Sequence, residues 1–296
     1  MLLASISGGA ARSPRRARPD PMRHSGPVDE ASLVATGERT APGLPDEEYW
    51  FARHEAAYRW ISDRLTAPGI IVDAGAGEGY GTAALPTLGP AIALEYDDTA
   101  CTHMRRTYPH IAVVRANLAA LPVRSARVDT ITCLQVVEHL WDLRGFLREC
   151  HRALRPGGDL IVTTPQRLTF SPGLGRGEKP LNPFHVEEFD GAQLRGLLAD
   201  AGFDEVEMRG LHHGPHLTDW EATHGSIVAA QVDAAMTGDW PPHLRETVRQ
   251  VSVDDFVIDP DPCPADSVHI ARAQDLVAIG RVSPTGAASP TRRAAP

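Results

Sequence analysis

Several short stretches carry residue types whose order suits chemistry. In DAGAGEGYG (73–81) an acid precedes alternating glycines, and a turn of that kind brings backbone N–H groups close to a ligand. A dinucleotide fingerprint begun at Gly75 needs its third glycine at the position held by Tyr80, and no Gly-Lys-Ser/Thr closes a phosphate loop. What remains is Asp73 followed by Gly75, Ala76, Gly77 and Gly79, with a carboxylate that repels phosphate and can hold an ammonium group. Glu95, followed by Tyr96, comes 22 residues after Asp73, where an acid accepts the hydroxyls of a ribose. Asn117 and the backbone of Leu118, in RANLAALP, lie where an adenine edge is read by hydrogen bonds, although any polar turn looks the same. QVVEHLWD adds Gln135, Glu138 and His139; a carboxylate beside an imidazole suits proton transfer near neutral pH. Further on, NPFHVEEF supplies Asn182, His185 and Glu188, and LHHGPHLTDW supplies His213, His216 and Trp220. Such a mixture of aromatic and polar groups suits a saccharide. HHGPH lacks a cysteine or a regular helical spacing, so it reads as acceptor-site or structural and not as zinc.

These stretches need elements to position them. Short β-like runs alternate with helical stretches, the pattern of a mostly parallel sheet covered on both faces. The strands are expected at IIVDA (70–74), AIALE (91–95), IAVVR (111–115), DTITCL (129–134), DLIVTT (159–164), DEVEMRG (204–210) and DLVAIGRV (275–282). Helices fall between them at EAAYRWISDRL, DDTACTHMRRTY, DLRGFLRECHRAL and DGAQLRGLLADAG. The glycine turn, the acid of ALEYD and the QVVEHLWD segment then all lie at carboxyl ends of strands, where open α/β sheets bind ligands. Residues 211–274 form an unusually long connection rich in His, Trp and Asp, which is expected to be an ordered cap on the acceptor side. Residues 1–40 and 283–296, rich in Pro, Ala, Ser and Arg, are expected to be a flexible leader and a disordered tail around a domain at 41–282. The leader is no secretory signal, and Met22 is a second candidate start.

Bulk properties exclude several classes. No apolar run approaches the roughly 20 residues of a membrane span. Residues 1–24 carry net +4 and 281–296 net +3, so 25–280 hold −16 of an overall −9. An acidic body lacks the basic stripe that nucleic acid requires. The four cysteines show no C-x-x-C spacing and read as reduced thiols of a cytoplasmic protein.

The motifs DAGAGEGYG, Glu95, ANLAALP, VDTITCLQVVEHLWD, LRPGGDLIVTTP and HVEEF…LLADAGF occur in order over roughly residues 48–210. Together they resemble the class I S-adenosylmethionine-dependent methyltransferases. The resemblance implies a Rossmann-like methyltransferase fold, an α/β architecture with a seven-stranded mostly parallel sheet, and a long insertion before the last strand. It implies that the glycine turn holds the methionine part of the cofactor, that Glu95 takes the ribose, Asn117 and Leu118 the adenine, and that Gln135 flanks the sulfonium. Outside those motifs, TGERTAPGLPDEEYWFARHEAAY, TFSPG…LNPFHVEEF and LHHGPHLTDWEATHGSIVAAQ…WPPHL resemble the mycobacterial sugar O-methyltransferases of polymethylated polysaccharide synthesis. Within that group the match is to the 1-O-methyltransferases of 3-O-methylated mannosides; enzymes of methylglucose lipopolysaccharide synthesis share the motifs.

Methyl transfer to a hydroxyl requires alignment and removal of the acceptor's proton, which makes His139 the candidate general base beside Glu138; the pair also suits a packing role. Related quinone-pathway O-methyltransferases carry Glu-x-x-Glu-His around a divalent ion. Here Gln135 stands at the first position, which weakens a Mg²⁺ cage without abolishing it. Tyr49, Arg53 and His54 lie where similar enzymes close over the cofactor's carboxylate, with Tyr49 toward the acceptor; Trp50 and Trp60 read as aromatics buried by an amphipathic helix. The cap permits a homodimer without requiring one. A cofactor-binding regulator and a nicotinamide-dependent oxidoreductase are the competing classes, the latter disfavoured by Tyr80.

Overall fold

The computed structural model describes residues 40–65, 69–85 and 89–284. The expected leader and tail fall almost wholly outside them. The first half of the fold comprises α1 (Glu48–Arg64), β1 (Ile71–Ala74), α2 (Tyr80–Ala84), β2 (Ala91–Glu95), α3 (Asp98–Thr107), β3 (Ala112–Arg115) and β4 (Val128–Leu134). A 3₁₀ turn (Val137–His139) leads to α4 (Leu143–Ala153), β5 (Leu154–Pro165), α5 (Arg167–Phe170), α6 (Gly191–Asp200) and β6 (Glu205–His213). The long connection then holds α7 (Pro215–His224), α8 (Ile227–Thr237), α9 (Pro242–Gln250), β7 (Phe256–Ile258) and α10 (Val268–Ala271), before β8 (Asp275–Arg281).

Helix starts follow from the sequence. Asp97, Asp142, Asp190 and Ser226 each accept backbone N–H groups of the first turn of α3, α4, α6 and α8. Strand alternation then divides the core. Leu160, Val162, Leu276 and Ala278 point to one face and pack with Phe146, Leu147, Leu194 and Leu198 of α4 and α6. Ile161 and Ile279 point to the other and pack with Ile61 and Tyr80. Each such fully buried Leu or Phe stabilises the fold by about 1.5–3 kcal/mol relative to exposure.

The expectation of seven mostly parallel strands is corrected: the sheet has eight strands, in the mixed order β3-β2-β1-β4-β5-β8-β6-β7. β1 to β5 pair in parallel, β8 lies antiparallel between β5 and β6, and β7 pairs antiparallel with the end of β6. β7 is three residues long, too short for a period-2 signal, and exists because β6 runs on to His213 and offers it an edge. The long connection packs its own apolar cluster onto α1: Leu217, Ile227, Leu244, Val248 and Phe256 meet Tyr49, Leu211 and Val277. Among the described residues no helix is long and apolar enough to cross a membrane.

Candidate active site

The carboxyl ends of β1, β2, β4 and β5 converge on one region. At β1, Gly75 and Gly79 both adopt φ of +83°, in the left-handed region. A Cβ at Gly75 would lie 2.5 Å from Val136, and one at Gly79 would meet Met104. Side chains are excluded from the turn on both counts. Gly77 differs, because a Cβ there would meet nothing within 4 Å. The turn is therefore closed behind and open in front, the shape of a cradle for a ligand.

Asp73 does not face that opening. It is 1% exposed, and its carboxylate accepts the hydroxyls of Thr82 (2.6 Å), Thr132 (2.7 Å) and Tyr58 (3.2 Å). Burial pushes its pKa up while the three hydroxyls pull the other way. A direct bond from Asp73 to a ligand ammonium is thus revised to support of the turn from beneath. Glu95 accepts backbone N–H groups of Gly77 (2.9 Å), Tyr96 (2.8 Å) and Asp97 (2.9 Å), which fixes its carboxylate at the lip of the cradle. Tyr96 is exposed beside it. Asn117 is exposed and accepts the N–H of Ala119, while the Leu118 side chain is buried in the main core. Ala76 is buried against Ala93 and Met104, so the turn offers its backbone there.

At β4, Gln135 holds φ of +55°, an uncommon conformation for a side-chain-bearing residue and a mark of local constraint. Its amide N–H donates to Thr163 Oγ1 (3.2 Å), and its Oε1 accepts from Arg53 (3.0 Å). Arg53 is also paired with Asp275 through Nε (2.6 Å) and Nη2, and its guanidinium lies over the rings of Phe170 (4.8 Å) and Trp50 (5.5 Å). His54 is half-buried with Nδ1 on the Tyr80 hydroxyl (2.9 Å), and desolvation, with Arg53 nearby, drives its pKa down to about 3. Of the expected clamp on a ligand carboxylate, Arg53 therefore carries a charge matched by Asp275, and His54 is held by Tyr80.

The 3₁₀ turn after β4 gathers the proton-accepting groups. Glu138 is 1% exposed and accepts the Thr164 hydroxyl (2.9 Å), and burial lifts its pKa to about 7 against the pull of His185. His139 Nδ1 donates to the Phe184 carbonyl (3.1 Å). His185 stands edge-on to His139 at 4.9 Å between ring centroids; its Nδ1 meets Glu188 (2.7 Å) and its Nε2 meets the Asn182 amide (3.0 Å). Ligand atoms of Glu138, His139 and His185 all lie within 4.8 Å of one another. Of the loop residues foreseen for the acceptor, His185 therefore reaches Glu138 and His139, Asn182 and Glu188 hold it there, and Glu188 is itself buried.

The cap residues behave differently. Tyr49 is fully buried and hydrogen-bonded to His213 Nε2 (2.7 Å), whose Nδ1 meets Glu221 (2.9 Å), so both are fixed inside the cap. His216 pairs with Asp255 at the surface (2.9 Å), and Trp220 stacks on His224 (4.6 Å). Of the residues expected at the acceptor, Tyr49 and His213 thus bond to each other within the cap. The residues that sequence reading passed over are Thr132, Thr163 and Thr164, toward the carboxyl ends of β4 and β5, and Asp275, which opens β8. An acid opening the apolar run DLVAIGRV was the available signal for Asp275.

Known proteins resemble the chain in sequence and in fold. The family described as "Methyltransferase domain" matches residues 72–162, from β1 through most of β5. The chain is 46% identical over 246 residues to a "Probable S-adenosylmethionine-dependent methyltransferase" of Mycobacterium tuberculosis (strain H37Rv), covering 82% of this chain and 88% of that one. It is 26% identical over 171 residues to the "Ubiquinone biosynthesis O-methyltransferase" of Pseudomonas paraeruginosa, covering 53% and 74%. In fold it is similar to a solved SAM-dependent methyltransferase of Thermotoga maritima, with a TM-score of 0.52, 18% identity, and coverage of 80% and 94%.

Proposed function

The chain belongs to the S-adenosylmethionine-dependent methyltransferases, and from that premise we propose that it is an O-methyltransferase whose acceptor is a sugar hydroxyl. The reading is carried by the cluster of Glu138, His139 and His185. An amine attacks with its own lone pair, whereas a hydroxyl is a poor nucleophile until its proton leaves. A group of proton acceptors at this position therefore has a use with an O–H acceptor.

S-adenosylmethionine, the family's cofactor, supplies a methyl group already activated on sulfur. The residues present fit it: an open glycine cradle without phosphate-binding groups, a carboxylate at its lip and a polar turn beyond suit an amino-acid tail joined to a nucleoside. In this reading Gly75, Ala76, Gly77 and Gly79 bind the tail, Glu95 the ribose, Asn117 and Leu118 the adenine, and Gln135 orients the reacting end. His139, with its Nδ1–H directed at Phe184, presents Nε2 as the basic nitrogen and takes the acceptor's proton. Glu138, ionising near pH 7, stabilises the imidazolium formed beside it. Mg²⁺ fits this set poorly, since it prefers six oxygen ligands and the oxygen of Gln135 is engaged by Arg53; no step is assigned to it.

The sugar assignment, specifically the 1-hydroxyl of a short 3-O-methylated mannoside in polymethylated polysaccharide synthesis, is supported by the resemblance of the flanking segments and by LNPFHVEEF, whose His185 joins Glu138 and His139. The test is radiolabelled methyl transfer to synthetic 3-O-methylmannosides, to matched glucosides and to amines. Transfer to the mannoside is expected to exceed the others. A preference for amines would remove the O-methyl reading, and a preference for glucosides would move the acceptor within it.

A further inference from the structure

Away from the reacting region, three potential metal-ligating side chains meet on the outer part of the sheet, with a cysteine against one of them. His212 lies near the end of β6, one residue before His213, and strand alternation sends the two rings to opposite faces. After β7 the chain turns back along β6: the Asp259 N–H donates to the Gly210 carbonyl (3.0 Å) and the Cys263 N–H to that of Met208 (2.8 Å). That return places the Asp259 carboxylate beside His212 and the Cys263 thiol beside that carboxylate. α10, capped by Ser267, adds His269.

The distances are those of one coordination sphere. His212 Nε2 is 3.4 Å from Asp259 Oδ2, His269 Nε2 is 2.6 Å from Oδ1, and Cys263 Sγ is 3.7 Å from Oδ2. The two imidazole rings lie 4.3 Å apart between centroids, and the ligand atoms of His212, Asp259 and His269 are mutually within 4.8 Å. Zinc bonds of about 2.0–2.3 Å in a tetrahedron give donor–donor edges of roughly 3.3–3.8 Å, so His212, Asp259 and His269 close around an ion with shifts of about 1 Å or less, and the Cys263 thiol, now against the Asp259 carboxylate, swings in to complete the set. His212 Nε2 is a second indication: it is shielded from solvent and makes no hydrogen bond, although Asp259 is beside it. Its contact with Asp259 at 3.4 Å lacks hydrogen-bond geometry, and a ligand bond would satisfy the nitrogen better.

We propose that His212, Asp259, Cys263 and His269 form a structural site for a divalent zinc-like ion. Two neutral imidazoles, a thiolate and a carboxylate neutralise a dication and form the borderline-soft set that zinc favours. On binding, the Cys263 thiol loses its proton to solvent, and His269 carries its proton on Nδ1. The ion fastens the returning segment 259–269 to β6 and so ties down the base of the cap. HHGPH alone offered no cysteine; the fold supplies one from Cys263, 51 residues beyond His212.

The test uses the full-length, tag-free protein. After chelator treatment it is titrated with Co²⁺, and separately loaded with Zn²⁺ and analysed for metal by mass spectrometry. The expected result is about one ion per chain with a thiolate-to-Co²⁺ charge-transfer band in the near ultraviolet. Cys263→Ser, a near-isosteric change, removes that band. Changes to groups around a metal's ligands already cost about 10–100-fold in affinity, so His269→Ala, which deletes an exposed ligand, is expected to cost about 100-fold or more. Circular dichroism verifies that both variants fold, and His139→Ala is expected to bind cobalt normally here. Failure of the folded protein to take up a stoichiometric ion, uptake without the charge-transfer band, or uptake lost in His139→Ala and kept in His269→Ala would each overturn the proposal.

Discussion

Glu138→Gln offers a quantitative test of the reacting region. The carboxyl is 1% exposed, and burial moves its pKa from 4.5 to about 7. In the unfolded chain it ionises near its ordinary value, whereas the folded protein keeps the proton until about pH 7. A raised carboxyl pKa means that the folded state binds the proton more tightly, so this contribution to stability is full below pH 4.5 and is lost as pH rises through 7. A shift of roughly 2.5 units at ~1.4 kcal/mol each amounts to about 3 kcal/mol. Glutamine keeps an oxygen to accept from Thr164 and cannot ionise. Urea unfolding of both proteins in EDTA, followed by fluorescence from pH 4.5 to 8, gives the difference directly. The free-energy gap between wild type and Glu138→Gln should shift by about 3 kcal/mol in favour of the variant across that range. A gap constant within about 0.5 kcal/mol would refute the reasoning, because Glu138 would then titrate alike in both states.

Other outcomes follow from the same geometry. Asp275→Asn leaves the buried Arg53 guanidinium without its counter-ion and should cost about 3–5 kcal/mol in denaturant unfolding, whereas Arg53→Met with Asp275→Leu should cost far less. Gly77→Ala has room for its methyl group, so the protein should fold, with about 1 kcal/mol lost to its positive φ, while calorimetry should find S-adenosylhomocysteine binding much weakened. Gly75→Ala collides with Val136 and should lose stability as well as binding. His139→Ala should lower methyl transfer to a hydroxyl acceptor by about 10²–10⁴-fold with donor affinity intact; full activity would exclude it as the base.

Much of the sheet was legible because its strands are apolar runs punctuated by glycine, proline and acids. Seven of the eight strands overlap the stretches read from sequence, and the glycine turn and the acid of β2 stand at the carboxyl ends inferred for them. The misreadings share one physical origin, which is that partners distant in sequence decide what a polar side chain does. Arg53 and His54 looked available for a ligand, but Asp275 and Tyr80 engage them. His185 belongs with Glu138 and His139 only because the segment after β5 folds back, its Val186 N–H donating to the Glu138 carbonyl (2.7 Å). In the cap, reading β6 to end at residue 210 left HHGPH as one cluster. Three further strand residues separate His212 from His213 across the sheet.

The position of β8 has a consequence for biosynthesis. The strand is the last regular element described, yet it sits between β5 and β6 and carries the counter-ion of Arg53. A nascent chain that has emerged only through β6 holds a sheet with no seam joining its two parts, and an uncompensated guanidinium in α1. Docking of residues 275–281 therefore closes the sheet, neutralises α1 and fixes Gln135 in one late event. A ribosome-stalled fragment ending before β8 would be expected to bind no donor, however complete its glycine turn.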